Sequence, residues 1–261
     1  MKTYEEKRAA DLEKLQGFVL MDDEFMKKVF EDKGCVELLL QIILDRDDLH
    51  VTEHHVQHEV SNLHGRSIRM DIFAVDGDGV VYNVEVQNRE EGAIPKRARY
   101  NSSLMDANVT KPGDDYEKLV ESYVIFITRT DVLNTGKLIC HIDRMILENN
   151  LPFSDGAHIV YINSGIRDKS RLGLLMKDFY CKKASEMHYP RLAERVRFLK
   201  EEKAGEENMS KIADEFREEG KLEALFSLVN KEIISLEQAA EVAGLSVPEF
   251  LEKKEELEVI E

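Results

Sequence analysis

Three side chains in the stretch Arg66–Glu90, RSIRMDIFAVDGDGVVYNVEVQNRE, have types that could do chemistry together: Asp71, Glu85 and Gln87. A hard cation such as Mg²⁺ prefers carboxylate oxygens at about 2.1 Å and keeps several waters, so two carboxylates plus phosphate and water complete its shell. An ion held that way polarises a phosphate, lowers the pKa of a bound water and neutralises developing charge. The two acids are far apart in sequence and meet only if the chain folds back between them.

The hydrophobic pattern supplies that fold. In a strand, Ile68, Met70, Ile72 and Ala74 share one face, and Arg69, Asp71, Phe73 and Val75 the other. In a second strand Tyr82, Val84 and Val86 share a face opposite Val81, Asn83, Glu85 and Gln87. A loop of Gly77, Asp78 and Gly79 pairs Asp76 with Val80, and glycine at its last position suits the left-handed backbone such hairpins need. That register sets Ile72 opposite Val84 and Met70 opposite Val86, giving one continuous apolar face. It also sets Asp71 opposite Glu85, with Cβ atoms roughly 5 Å apart. A shorter loop would mix apolar and acidic side chains on both faces, so core burial selects the register that builds the site. Gln87 lies two residues beyond Glu85 on the same face, about 6.6 Å along the strand.

These residues, and longer stretches around them, resemble the PD-(D/E)XK nuclease superfamily, specifically its branch of recombination-promoting nucleases often labelled transposases. The resemblance rests on DDEFMKKVFEDKGCVELLLQIIL, HEVSNLHGRSIRMDI, NVEVQNREEGAIPKRARYNSSLMD, YVIFITRTDVL, SDGAHIVYINSG and LGLLMKDF, roughly Asp22 to Lys200. It implies that Asp71 and Glu85 bind the metal, Mg²⁺ with Mn²⁺ as the alternative, and that DNA is the substrate. Gln87 stands where the superfamily usually has lysine. Glutamine can orient a water or a phosphate oxygen but brings no charge to the transition state. Lys96, Arg97 or Arg99 could supply the cation instead. Many nucleases of this fold act as dimers, so the resemblance also makes a homodimer the default.

Pro95 followed by a stretch without breakers predicts a helix of about three turns, carrying Lys96, Arg97, Arg99 and Tyr100 toward a nucleic-acid backbone. The bland alternative for this cluster is a solvated basic face pairing with Glu90 and Glu91. Glu59, and Glu37 on a leading helix, are candidates for an additional acid near the site. Five histidines lie between His50 and His64. In a strand, His50, His54 and His58 share a face with neighbours about 13 Å apart, too far for one ion, so an exposed or edge strand is the expectation. YVIFIT and HIVYIN read as short buried strands. The fold expected is therefore α/β: a restriction-endonuclease-like core of order α-β-β-β-α-β, a mixed sheet flanked by helices, with a helical C-terminal extension. Leu172, Leu175, Met176 and Phe179, then Leu192, Val196 and Leu199, fall at helical spacing and cap that core.

The chain has 261 residues and a net charge of −16, which argues against adhesion to DNA by the whole surface. The acidity is uneven: residues 201–261 hold 18 acidic and 7 basic side chains, against 34 and 29 in residues 1–200. The first two hundred residues are near enough to neutral to carry a local basic groove. Cys35, Cys140 and Cys181 are widely separated and make no paired metal motif. A charged N-terminal stretch without an apolar leader, and no apolar run long enough for a membrane, lead to the expectation of a cytoplasmic protein. In the tail, Ser235 with Gln238 and Ser246 with Glu249 form capping-box patterns around Gly244, a helix-turn-helix plan. Its second helix is too acidic for docking on phosphates, so packing or self-association is favoured there.

The expected organisation is a nuclease-like core over residues 22–165, a helical extension with an acidic linker over 166–224, and the tail over 225–258. The leading functional expectation is a metal-dependent endonuclease acting on DNA in recombination or mobile-element movement. The runner-up is a degenerate nuclease fold kept as a DNA-binding or regulatory protein. A third reading is an interaction module whose tail forms oligomers.

Overall fold

Asp32 divides the leading helical segment in two. Its carboxylate accepts from the Cys35 amide at 3.0 Å and caps a second helix, so the single helix expected over this stretch is α1 (Asp23–Phe30) and α2 (Lys33–Leu44). The computed structural model describes residues 16–62, 65–110, 113, 115–202, 220–222, 224–231 and 233–258. Most of the Glu201–Leu222 linker and of the N-terminal charged stretch lies outside those residues.

After the two helices, β1 (Val51–Val60), β2 (Ile68–Asp76) and β3 (Val81–Gln87) form an antiparallel meander. Helix α3 (Pro95–Val109) then crosses to β4 (Ser122–Thr128), which runs parallel to β3. A short strand β5 (Ile139–Ile142) and a two-stranded ribbon, β6 (Met145–Ile146) with β7 (Leu151–Pro152), precede β8 (Ala157–Asn163). Strand β8 lies parallel to β4 and antiparallel to β5, giving a six-stranded mixed sheet of order β1-β2-β3-β4-β8-β5. The ribbon and β5 carry no alternating apolar pattern and were not legible in the sequence. Helices α4 (Arg171–Asp178) and α5 (Pro190–Glu201) follow.

The sheet is covered on both faces. One buried cluster joins α1, α2, α4 and α5 to Ile72, Val84, Ile125 and Ile162. The other joins α3, through Ala98, Leu104 and Met105, to Met70, Val81, Val124 and Phe126. Strand β3 is therefore buried along almost its whole length, as a central strand between two layers must be. The tail has a core of its own, in which Phe226, Ala239, Ala240 and Phe250 pack together. Its helices α6 (Leu236–Ala243) and α7 (Val247–Glu258) begin at Ser235 and Ser246, which accept from Gln238 and Glu249 amides, and Gly244 ends α6 at φ 77°.

The turn between β2 and β3 fixes the register. Asp76 accepts from the Asp78 and Val80 amides at 2.9 and 3.0 Å and from the buried Tyr82 hydroxyl at 2.7 Å, while Gly79 takes φ 83°. Pairing then runs from Val75/Val81 to Ile72/Val84, the register that core burial selected.

One expectation fails beyond that point. Ile68, Met70, Ile72 and Ala74 do not share a face: Ile68 and Met70 pack under α3, whereas Ile72 and Ala74 pack on the opposite layer. Val56 and Val60 of β1 are divided the same way. In β1 the change coincides with Gln57, which has a left-handed backbone at φ 54° and lies level with Asp71, where β2 changes facing. The rings of His55 and His58, three residues apart, consequently stack at 5.4 Å, and the expected shared face of His50, His54 and His58 is lost. Strand β1 is an edge strand, as its polar sequence implied.

Because Tyr82 supplies one of three donors to a buried carboxylate, Tyr82→Phe is expected to cost about 2 kcal/mol of stability. The measurement is urea unfolding, with a lower midpoint at unchanged slope. An unchanged midpoint would remove this turn from the forces that set the register.

Candidate active site

The pairing of β2 with β3 stops where the acids begin. Beyond Ile72/Val84, the Asp71 carboxylate itself accepts the Val86 amide at 2.8 Å. A side chain thus replaces the strand partner, and the same offset carried one residue further sets Asp71 level with Glu85. The other Asp71 oxygen lies 3.4 Å from the Gln57 side-chain amide on β1. The left-handed residue and the acid are therefore neighbours across β1 and β2.

Glu85 is fully buried. It faces α3, where the Arg97 guanidinium reaches its Oε2 at 3.0 Å and the Asn101 amide reaches its Oε1 at 3.4 Å. Helix α3 can present both because positions four apart share one side. Gln87 donates to the same Oε2 at 3.3 Å. Its amide oxygen is packed on Gly92, where an added Cβ would lie 2.1 Å away, so a residue with no side chain makes room for Gln87. Asn83 and Asn101 are buried beside Glu85, and Oδ1 of Asn101 has no hydrogen-bond partner among the described residues.

Both carboxyls are pushed above the usual range. For Glu85 the largest cause is burial, then the negative charge of Asp71, opposed by Arg97. For Asp71 it is burial, then Asp23 on α1, opposed by the Val86 amide. Two acids that resist ionisation together are the electrostatic condition under which a divalent cation is welcome.

An open groove of about 730 Å³ runs past these residues. Asp23, Asp71, Gln57 and Gln87 line it, together with Arg66, Arg69, Arg89, Lys96 and Arg97. Of the sequence candidates, Asp71, Gln87, Lys96, Arg97 and Tyr100 meet at this groove, with Glu85 directly beneath. The Tyr100 hydroxyl is occupied by the Arg66 carbonyl and the Asn62 amide, so it ties down the segment before β2. Arg99 is exposed but does not line the groove.

Neither proposed additional acid lies there. Glu37 accepts the Val51 amide at 2.9 Å and so anchors the start of β1, and Glu59 is exposed on that edge strand. Asp23 takes the place expected for them, bridged to Lys27 at 2.9 Å. It was hidden because nothing in the local pattern of the leading helical segment shows that its first turn approaches the sheet. Arg66, Arg69 and Arg89 were likewise missed; each reads locally as an ordinary strand-end charge.

The groove offers oxygen donors and neither histidine nor cysteine, a set that fits a hard divalent cation better than zinc. Among the described residues no group of three or more His, Cys, Asp or Glu could hold a metal ion, so a cation at Asp71 and Glu85 would need water or phosphate to complete its shell.

The meander, the crossing helix and the parallel strands, with two acids where the meander opens, define a restriction-endonuclease-like fold. A family model described as PD-(D/E)XK nuclease family transposase matches residues 27–226, and the chain belongs to that family. No curated protein and no solved structure gives a significant match. Among the described residues no helix is long and apolar enough to cross a membrane.

The backbone at Gln57 is testable by itself. Glycine adopts φ 54° without steric cost, whereas a β-branched residue does not. Gln57→Gly is expected to unfold no earlier than the native chain, and Gln57→Val to lose about 2 kcal/mol. Equal urea midpoints for the two variants would refute a left-handed residue in β1.

Proposed function

We propose that this protein is an Mg²⁺- or Mn²⁺-dependent DNA endonuclease, making breaks in recombination or the movement of mobile elements. The observation that carries it is an open groove with Asp71 in its lining, Glu85 buried beneath it, and Arg66, Arg69, Arg89 and Lys96 along its walls. Asp71 and Glu85 would hold the ion, which when bound supplies an acidified water and charge neutralisation at the phosphorus. Gln87, steadied by Gly92, orients a water or a phosphate oxygen. The groove cations hold the strand by its phosphates, which fixes position without reading sequence. Arg97 balances Glu85 until substrate arrives, then offers its guanidinium to the phosphate, the role left open by the absent lysine. The described residues hold one such centre, so a pair of chains would be the unit suited to cutting both strands.

A second reading has its own observation. Arg97 already occupies a Glu85 oxygen at 3.0 Å, as it would in a degenerate fold that binds DNA without cutting it. Plasmid nicking separates the two. The nuclease reading expects nicking with Mg²⁺ or Mn²⁺, none with EDTA, none from Asp71→Ala or Glu85→Ala, and a loss of roughly 10²-fold in Arg97→Met. No nicking by the folded native chain with either metal would leave the binding reading. Independently, Arg89→Ala and Lys96→Ala are each expected to weaken DNA binding at low salt and to reduce the salt slope by about one. Unchanged slopes would place the DNA elsewhere.

A further inference from the structure

The carboxyl ends of the parallel strands carry two cations that do not line the groove. Strands β3, β4 and β8 end side by side, with Gln87 beside Thr128 and Thr128 beside Asn163. Arg129 leaves β4 with its amide on the Gln87 carbonyl at 3.1 Å, and its Nε donates to the Asn88 side-chain oxygen at 3.0 Å. Arg167 lies four residues beyond the end of β8. The two guanidiniums converge on one ring, that of Tyr180, at 5.8 and 4.2 Å from its centroid. The ring is fixed in turn: its hydroxyl is 2.8 Å from that of Ser164, a buried residue that donates to the Thr128 carbonyl.

Elsewhere in the chain arginines are spent on carboxylates, as Arg46, Arg97, Arg144, Arg171 and Arg191 each are. Arg129 and Arg167 are both exposed, and among the described residues neither makes an ion pair. The acids nearest in sequence are engaged by other groups. Asp131 accepts the Gly136 amide at 2.6 Å, Asp168 the Ser170 amide at 2.9 Å, and Asp178 the amides of His188 and Tyr189. Residues 164–183 hold six basic and two acidic side chains in a chain of net charge −16. Two cations held at one ring repel each other, and an anion placed between them offsets that repulsion. A guanidinium stacked on a ring keeps its N–H edge free, the edge that matches phosphate oxygens.

We propose that the DNA track continues out of the groove across the carboxyl ends of β4 and β8, where Arg129 and Arg167, held by Tyr180, grip backbone phosphates beyond the scissile one. Continuity with the groove argues for the nucleic-acid backbone over a free phosphate: Asn88, which holds Arg129, lines the groove together with Arg89. The place is also where open α/β sheets present ligands, outside the carboxyl ends of their strands. Neighbouring strands lie about 4.8 Å apart, so the step from β3 to β8 covers roughly three nucleotides of duplex at about 3.4 Å each. Contacts of this kind fix position and read no sequence. The inference rests on DNA occupying the groove, and the test separates the two.

The test is fluorescence anisotropy of the full chain in EDTA over a salt series, with two duplexes: one that only fills the groove and one extended at both ends. The double variant Arg129→Ala, Arg167→Ala, with native circular dichroism, is expected to lower the salt slope by about two on the extended duplex and to keep the native slope on the short one. An unchanged slope on the extended duplex, while Arg89→Ala lowers it, overturns the extension and leaves the groove reading intact. An equal loss on both duplexes also overturns it, since the arginines would then act through a general field rather than by contact. A native chain that binds neither duplex overturns both readings. Tyr180→Leu keeps the two charges and removes the ring, so it is expected to keep the slope and weaken binding of the extended duplex alone. Unchanged affinity there overturns the ring's part in the site.

Discussion

Glu85 is an ionisable side chain fully removed from water in the central part of a sheet. Burying such a group costs several kcal/mol unless charges and hydrogen bonds surround it, and breaking those arrangements costs more than they return. Much of the local architecture follows from that constraint. Helix α3 brings Arg97 and Asn101 to the carboxylate, Gln87 folds back on it, and Gly92 leaves the space Gln87 needs. Asp71, one strand away, adds a second negative charge rather than relief. A core built for stability alone would not place two acids together behind a single arginine. The arrangement is one that a divalent cation, or a phosphate bringing one, would complete.

The sheet bears the mark of the same demand. A regular ladder would send Asp71 and Ile72 to opposite faces and leave Met70 beside Ile72. Instead β1 and β2 reverse their facing together at Gln57 and Asp71, and the acid fills the place of a backbone partner for Val86. The irregularity lets one strand serve the α3 layer at one end and the opposite layer at the other. Strain of this kind persists only where the surroundings over-determine it, and here it adjoins a carboxylate rather than a remote turn.

Charge is distributed in keeping with this. Arginines and a lysine gather along the groove although the chain is strongly acidic, and the acidity is concentrated beyond residue 200. Local potential, not net charge, governs whether a polyanion approaches a given cleft. The tail's helices enclose their own small core, with an acidic second helix ill suited to DNA.

The amino-acid sequence alone determined strands β1 to β4 and β8, the turn between β2 and β3, and the register from Val75/Val81 to Ile72/Val84. These rest on local alternation, on Asp76 and Gly79, and on burial of Val84 against Ile72, all of which are short-range. Together with the family resemblance it pointed to Asp71, Glu85 and Gln87, and to Lys96, Arg97 or Arg99 as the cation beside them. Only the tertiary structure decided which arginines face the groove, that Asp23 rather than Glu37 or Glu59 approaches the acids, and that β1 and β2 change facing at Gln57 and Asp71. It alone made the β6–β7 ribbon visible. Each of these depends on where a helix or strand from elsewhere in the chain comes to lie, and no local pattern of polarity encodes that.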